Sequence, residues 1–154
     1  MEYLVIKVIH IISSVLLVGT GFGTAFYLFF ANRSGSVEAI AVVSRLVVRA
    51  DWWFTTPAVI VQPLSGAYML HKAGFPLDSL WIMASGALYL FAGACWLPVV
   101  WYQIRMCRMA IAAHENGAPL PAQYWHYARR WELLGYPAFI AMVVVFALMV
   151  MKPM

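Results

Sequence analysis

Read for apolar runs, the chain divides into four long segments joined by short polar ones. The first runs from about Tyr3 to Ala31, interrupted only by Lys7 and His10, and stops at the loop-like Asn32-Arg33-Ser34-Gly35-Ser36. From Val37 to Arg49 the text is mixed, with Glu38, Arg45 and Arg49 among Ala, Val and Ile. That pattern fits either an amphipathic helix at a membrane surface or an extension of the next segment. The second segment, about Trp52 to Leu70, carries Pro57 and Pro63. A soluble helix interior seldom tolerates proline, but a bundle in lipid accommodates it when neighbouring groups satisfy the freed carbonyls. After a turn at His71-Lys72-Ala73-Gly74-Phe75-Pro76, the third segment runs from about Leu80 to Ile104 and ends at Arg105 and Arg108. A polar loop with Asn116-Gly117 and Pro119 leads to the fourth, about Leu133 to Met151.

Each run matches the roughly 20 apolar residues that cross a bilayer as a helix. The segments 3–31, 52–70, 80–104 and 133–151 therefore predict an all-α integral membrane four-helix bundle, in a single domain over residues 1–154. Composition strengthens this: 64% of residues are hydrophobic and 10% charged, with a mean hydropathy of +0.81, whereas a soluble domain is about a quarter charged. The net charge of +4 sits beside the ends of the apolar runs instead of forming a patch, so membrane lipid, not nucleic acid, is the expected partner. Of the ten basic residues, Arg33, Arg45, Arg49, Arg105, Arg108, Arg129 and Arg130 fall on the two connections expected to share one side. Lys7, Lys72 and Lys152 fall on the other. The positive-inside rule then places both termini outside the cytoplasm. Trp52, Trp53, Trp101, Trp125 and Trp131 would form an inner aromatic belt, with Trp81 at the outer interface. The start Met1-Glu2-Tyr3 lacks the basic region of a cleaved signal, so the first segment should stay as a helix.

In lipid, the polar or small stripe of a helix faces its neighbours. On the first segment that stripe is His10, Ser14, Leu17, Gly21 and Thr24; on the second it is Thr55, Gln62, Ser65, Gly66 and Met69; on the third it is Ser85, Tyr89, Gly93 and Trp96. Gly19 and Gly23 form a small-xxx-small pair that would serve packing inside the bundle or between the protomers of a homodimer. An ionisable side chain within a span is costly, which makes His10 a candidate functional residue. The alternative is a neutral imidazole hydrogen-bonded between helices. His71 falls in the same leaflet, and helical bundles build haem pockets from imidazoles on facing helices. A haem b held by His10 and His71 would be lined by Ser14, Gly21, Gln62, Gly66 and Met69; otherwise His71 is an interface residue. His114 reads as solvated, and His126 sits among Trp125, Tyr127 and the arginines.

No nucleophilic triad, phosphate loop or metal-spaced Cys/His cluster is present. The carboxylates fall near helix ends or loops, and Asp51 and Glu132 are expected to pair with Arg49, Arg129 or Arg130. Cys95 and Cys107 lie about 18 Å apart along one helix, too far for a disulfide, and read as packing residues. The methionines Met142, Met149, Met151 and Met154 read as packing or lipid-facing side chains.

Three stretches carry a family resemblance. Ile6-Lys7-Val8-Ile9-His10-Ile11-Ile12 with Gly19 and Phe26-Tyr27-Leu28 resembles the first helix of HemJ-type protoporphyrinogen oxidases and of CopD-like copper-resistance proteins. Thr56-Pro57-Ala58 with Ser65-Gly66-Ala67-Tyr68-Met69-Leu70 resembles their second helix. Arg130-Trp131-Glu132 through Pro137 to Val150-Met151-Lys152-Pro153 resembles their last. The chain is more similar still to a small bacterial membrane family known as a domain of unknown function. The resemblance implies a bacterial inner-membrane four-helix bundle binding haem b, with His10 as an axial ligand. Where the HemJ-type first helix continues Tyr-Leu-Pro-Arg, this chain has Phe29-Phe30, and Ser85 and Trp96 stand near the places of a third-helix Lys and His. These departures argue against porphyrinogen oxidation and leave His71 as the replacement ligand.

The leading expectation is thus a haem b membrane protein with an electron-transfer or oxidoreductase role, exchanging electrons with a quinone or another redox partner. The alternatives are a HemJ-type protoporphyrinogen IX dehydrogenase, and a cofactor-free membrane subunit or metal-permease component whose histidine is structural. The topology gives the first prediction. A reporter fused after Met154 should be active only outside the cytoplasm, and activity confined to the cytoplasm would invert the orientation.

Overall fold

The structure, a computed structural model, describes residues 1–153, and these fold entirely into helices and short turns with no strand among them. Met154 lies outside the described residues. Helix α1 spans Glu2–Arg33; α2, Val37–Ala50, continues through one π-helical turn, Asp51–Thr55, into α3, Thr56–Ala73; α4 spans Leu80–Glu115 and α5 Ala122–Met151. The mixed stretch after Arg33 is therefore an extension of the second rod, not a separate surface helix. Ser36 caps α2 by accepting the Ala39 N–H at 3.2 Å. Gly74, at φ 68°, closes α3 in the left-handed conformation, one that costs glycine no Cβ clash.

By length and composition α1, α4 and α5 can each cross a membrane. α3, 18 residues long and carrying Gln62, Ser65 and His71, runs antiparallel beside α1, while α4 and α5 form a second antiparallel pair. α4 and α5 also extend past the expected boundaries at 104 and 133. There the buried positions Met106, Cys107, Ala110 and Ala113 of α4 pack as one stripe toward Tyr124, Ala128 and Trp131 of α5 and the buried face of α2. Together with Leu28 and Ala31 they form a close-packed core at the arginine-rich end of the molecule. The Tyr124 hydroxyl donates to Asn32 Oδ1 at 2.6 Å, tying α5 to the end of α1. Burial pushes the Tyr124 phenol well above its usual pKa, so it remains a donor across the physiological pH range.

Several side chains sit differently from expectation. Trp52, Trp53, Trp101 and Trp125 are exposed as interfacial residues would be, but Trp131 and Trp81 are buried. Trp131 turns inward because its indole N–H has a partner on α4, and Trp81 packs edge-on against Phe75 with ring centroids 5.5 Å apart. Cys95 and Cys107 are both free and buried. A Cβ on Gly19 or Gly23 would meet nothing within 4 Å, so that pair makes no close helix contact inside the bundle.

The prolines explain two local features. Pro57 has no N–H for the Trp53 carbonyl, and the chain widens just before it: the Thr56 N–H reaches back five residues to the Asp51 carbonyl, making the π turn. Pro63 likewise frees the Val59 carbonyl, which accepts a hydrogen bond from the Tyr89 hydroxyl at 2.7 Å. α3 and α4 otherwise barely touch, so this bond joins the two helix pairs across the middle of the bundle.

The second prediction follows. Tyr89→Phe should destabilise the protein by about 1 kcal/mol, within the range for interhelical hydrogen bonds in membranes and buried groups left unpaired. In a Pro63→Ala background the same change should cost much less, since the substituted residue restores an N–H for the Val59 carbonyl. Unfolding by titration with sodium dodecyl sulfate measures both, and equal losses in the two backgrounds would contradict the account.

Candidate functional site

Between the two helix pairs lies a cavity of about 400 Å³. α1 contributes Leu17, Gly21, Phe22 and Phe29; the rod after it contributes Asp51, Thr55 and Val59; α4 contributes Tyr89, Gly93, Trp96 and Gln103; and α5 contributes Trp131, Tyr136 and Phe139. The space exists because glycines stand where helices would otherwise fill it. A Cβ on Gly21, Gly93 or Gly135 would meet nothing within 4 Å. Leu17, Gly21 and Thr24, and Tyr89, Gly93 and Trp96, are the inward stripes expected from the sequence.

The walls are apolar except at the arginine-rich end. There the π turn carries Asp51 and Thr55 into the interior, 4% and 2% exposed. Thr55 donates to Asp51 Oδ1 at 2.9 Å. With the Gln103 amide nitrogen turned toward Asp51, it donates to Oδ2 at 2.7 Å while its oxygen accepts from Trp131 Nε1 at 3.2 Å. This orientation is assigned from the network, since the reverse pairs acceptor with acceptor. The expected pairing of Asp51 with Arg49 does not form: Arg49 is exposed, and the ion pair found among the described residues is Arg33 with Glu132, at 3.3 Å. Glu132 thus pairs with Arg33 rather than with Arg129 or Arg130, because α5 lies beside the end of α1 here. A second cavity of about 240 Å³ adjoins the first, and Asp51, Trp96 and Gln103 line both.

His10 belongs to another cluster, between α1 and α3. Its Nδ1 lies 2.8 Å from Ser65 Oγ and its Nε2 lies 3.1 Å from Gln62 Nε2. Ser13 donates to Gln62 Oε1, and Ser65 donates to the Val61 carbonyl at 2.6 Å. One assignment satisfies the whole chain: Ser13 to Gln62, Gln62 to His10 Nε2, and His10 Nδ1–H to Ser65, with a neutral imidazole. Gly66 lets the helices approach this closely, since a Cβ there would stand 3.3 Å from His10 Cε1.

Of the sequence-predicted site residues, the structure brings together His10, Gln62 and Gly66. Ser14 instead donates to the Ile11 carbonyl of its own helix at 2.7 Å. Gly21 lines the cavity, Met69 is half-buried, and His71 is exposed at the end of α3. A haem between His10 and His71 does not fit the chain in this conformation: both His10 nitrogens are engaged, and α3 presses on the imidazole. Among the described residues there is no group of three or more His, Cys, Asp or Glu able to hold a metal ion.

Sequence reasoning missed Gln103 and the burial of Asp51. The signal for Gln103 was its position two turns beyond Trp96, continuing the stripe of Tyr89 and Gly93. For Asp51 it was the spacing of four to Thr55.

Fold and site together define a helical integral membrane protein with a polar-tipped cavity between its helices, partly open to the surface. The chain belongs to the family described as "Predicted integral membrane protein (DUF2269)", whose model matches residues 4–153. No curated protein and no solved structure matches it.

The His10 cluster gives the third prediction. His10→Ala leaves Gln62 and Ser65 without their shared partner and should cost about 1–3 kcal/mol of stability, read by the same detergent unfolding. A variant as stable as the parent would remove the cluster from the contacts that hold α1 on α3.

Proposed function

We propose that this protein binds a lipid-soluble small molecule of the quinone class inside its helical bundle, with the arginine-rich end of the bundle at the cytoplasm. The observation that carries the reading is the cavity lined by all four rods and partly open to the surface along the exposed Phe22, Phe26 and Tyr136. Its size falls within the roughly 300–1,000 Å³ of small-molecule sites, and its walls are apolar with a few convergent polar groups, the usual make-up of such sites. Phe22 and Phe139 stack on each other at 4.9 Å and close part of the wall, and Trp96 adds a further aromatic side chain to the lining. The buried polar groups at one end would fix its orientation. In this reading the His10 cluster is structural and clamps α3 to α1.

The second reading is the haem b protein implied by the HemJ-type and CopD-like resemblance, favoured by one observation, an imidazole within the apolar length of α1. It requires Gln62 to leave His10 Nε2.

One preparation tests both, giving the fourth prediction. Native mass spectrometry of protein released from its own membranes should show a bound apolar molecule, lost in Gly93→Phe, whose ring fills the cavity. An adduct retained in Gly93→Phe would place the molecule elsewhere and overturn the cavity reading. A Soret band that disappears in His10→Ala would select the haem reading instead.

A further inference from the structure

Within the cavity reading, the polar end also selects the ligand's head group. We infer that the cavity takes a neutral aromatic alcohol, a phenol or quinol with a hydrocarbon tail, whose hydroxyl donates to Asp51. The argument is an account of donors and acceptors. Thr55 spends its hydroxyl proton on Asp51 Oδ1, Gln103 spends one amide proton on Oδ2, and Trp131 spends its N–H on Gln103. Each carboxylate oxygen can accept a second hydrogen bond, and the Thr55 oxygen keeps its own lone pairs. Gln103 keeps one amide proton, but the free acceptors outnumber it where Asp51 lines the cavity, so a guest that brings a donor is favoured. An anionic head group, such as a fatty-acid carboxylate or a phosphate, would face the buried Asp51 carboxyl, while the Arg33 guanidinium at the cavity edge is already engaged by Glu132, which lines the same cavity. The Arg33–Glu132 pair, the ion pair among the described residues, leaves Asp51 to its neutral partners. An ammonium head would leave its hydration behind to enter the apolar chamber, a desolvation cost that a neutral hydroxyl escapes. The ring attached to it would lie beside Trp96, and the tail would extend along the wall toward Leu17 and Met142.

The test uses the full chain in detergent and calorimetric titration above a micelle blank, with four probes that share a tail: 4-nonylphenol, its methyl ether, 4-nonylbenzoate and 4-nonylbenzylamine. The phenol should bind up to roughly tenfold more tightly than the ether, the factor of one hydrogen bond to a buried acceptor, and the benzoate should be weakest. Asp51→Asn should bring the phenol down toward the ether. The wild-type ranking alone decides the inference should that variant fail to fold. Equal binding of phenol and ether overturns the head-group inference and leaves the cavity reading standing. Tightest binding of the amine also overturns it, assigning a cationic guest. If no probe binds, the cavity reading falls with it.

Discussion

Inside a bilayer a polar group has no water to turn to, so each one must find its partner in the protein or leave the apolar region. In this chain that constraint sets how the rods meet. Pro63 strips the Val59 carbonyl of its helical donor, and Tyr89 on another rod replaces it. The imidazole of His10 is resolved by two groups of α3, which fixes that helix against α1. Asp51, lacking a cation, takes one proton from Thr55 and one from Gln103, and Gln103 in turn engages Trp131. Three small polar clusters thus join α1 to α3, α3 to α4, and the π turn to α4 and α5. Apolar packing alone gives little preference between helix–helix and helix–lipid contact, which leaves these clusters to specify the arrangement.

Packing quality divides the molecule along its length. At the arginine-rich end, Leu28, Ile40, Met106 and Tyr124 are fully buried and the helices close on one another. Toward the other end, glycines replace side chains and the two helix pairs part around the cavity, meeting at the Phe22–Phe139 stack on its wall. The tight half holds Asp51 and Gln103 in place through the continuous rods that leave it. The open half can admit a guest without disturbing that core. A rigid polar tip beside an open apolar chamber is the arrangement on which the proposed ligand site rests.

Much of this was legible in the sequence. The inward stripes through Leu17, Gly21 and Thr24 and through Tyr89, Gly93 and Trp96 follow from helical spacing, and they line the cavity. The prolines of the second rod were readable as carbonyls needing outside donors. What the sequence hid depends on two helices at once. Nothing local says that Gln62 and Ser65 will bracket His10, or that Glu132 will choose Arg33 over its own neighbours. The extensions of α4 and α5 were missed because apolar runs report bilayer contact, whereas residues such as Cys107, Ala110 and Ala128 are buried by helices packing outside the long runs. The π turn was hidden because Pro57 could equally have begun a kink.

The central claim is that the space between the helix pairs is a binding chamber and not a packing fault. An experimental structure determined in native lipid tests it most directly. The account predicts elongated density beside Trp96 and the stacked Phe22–Phe139 pair, with its polar end within hydrogen-bond distance of Asp51. Helix pairs drawn together, with Phe22 against Trp96 and the chamber closed, would contradict it.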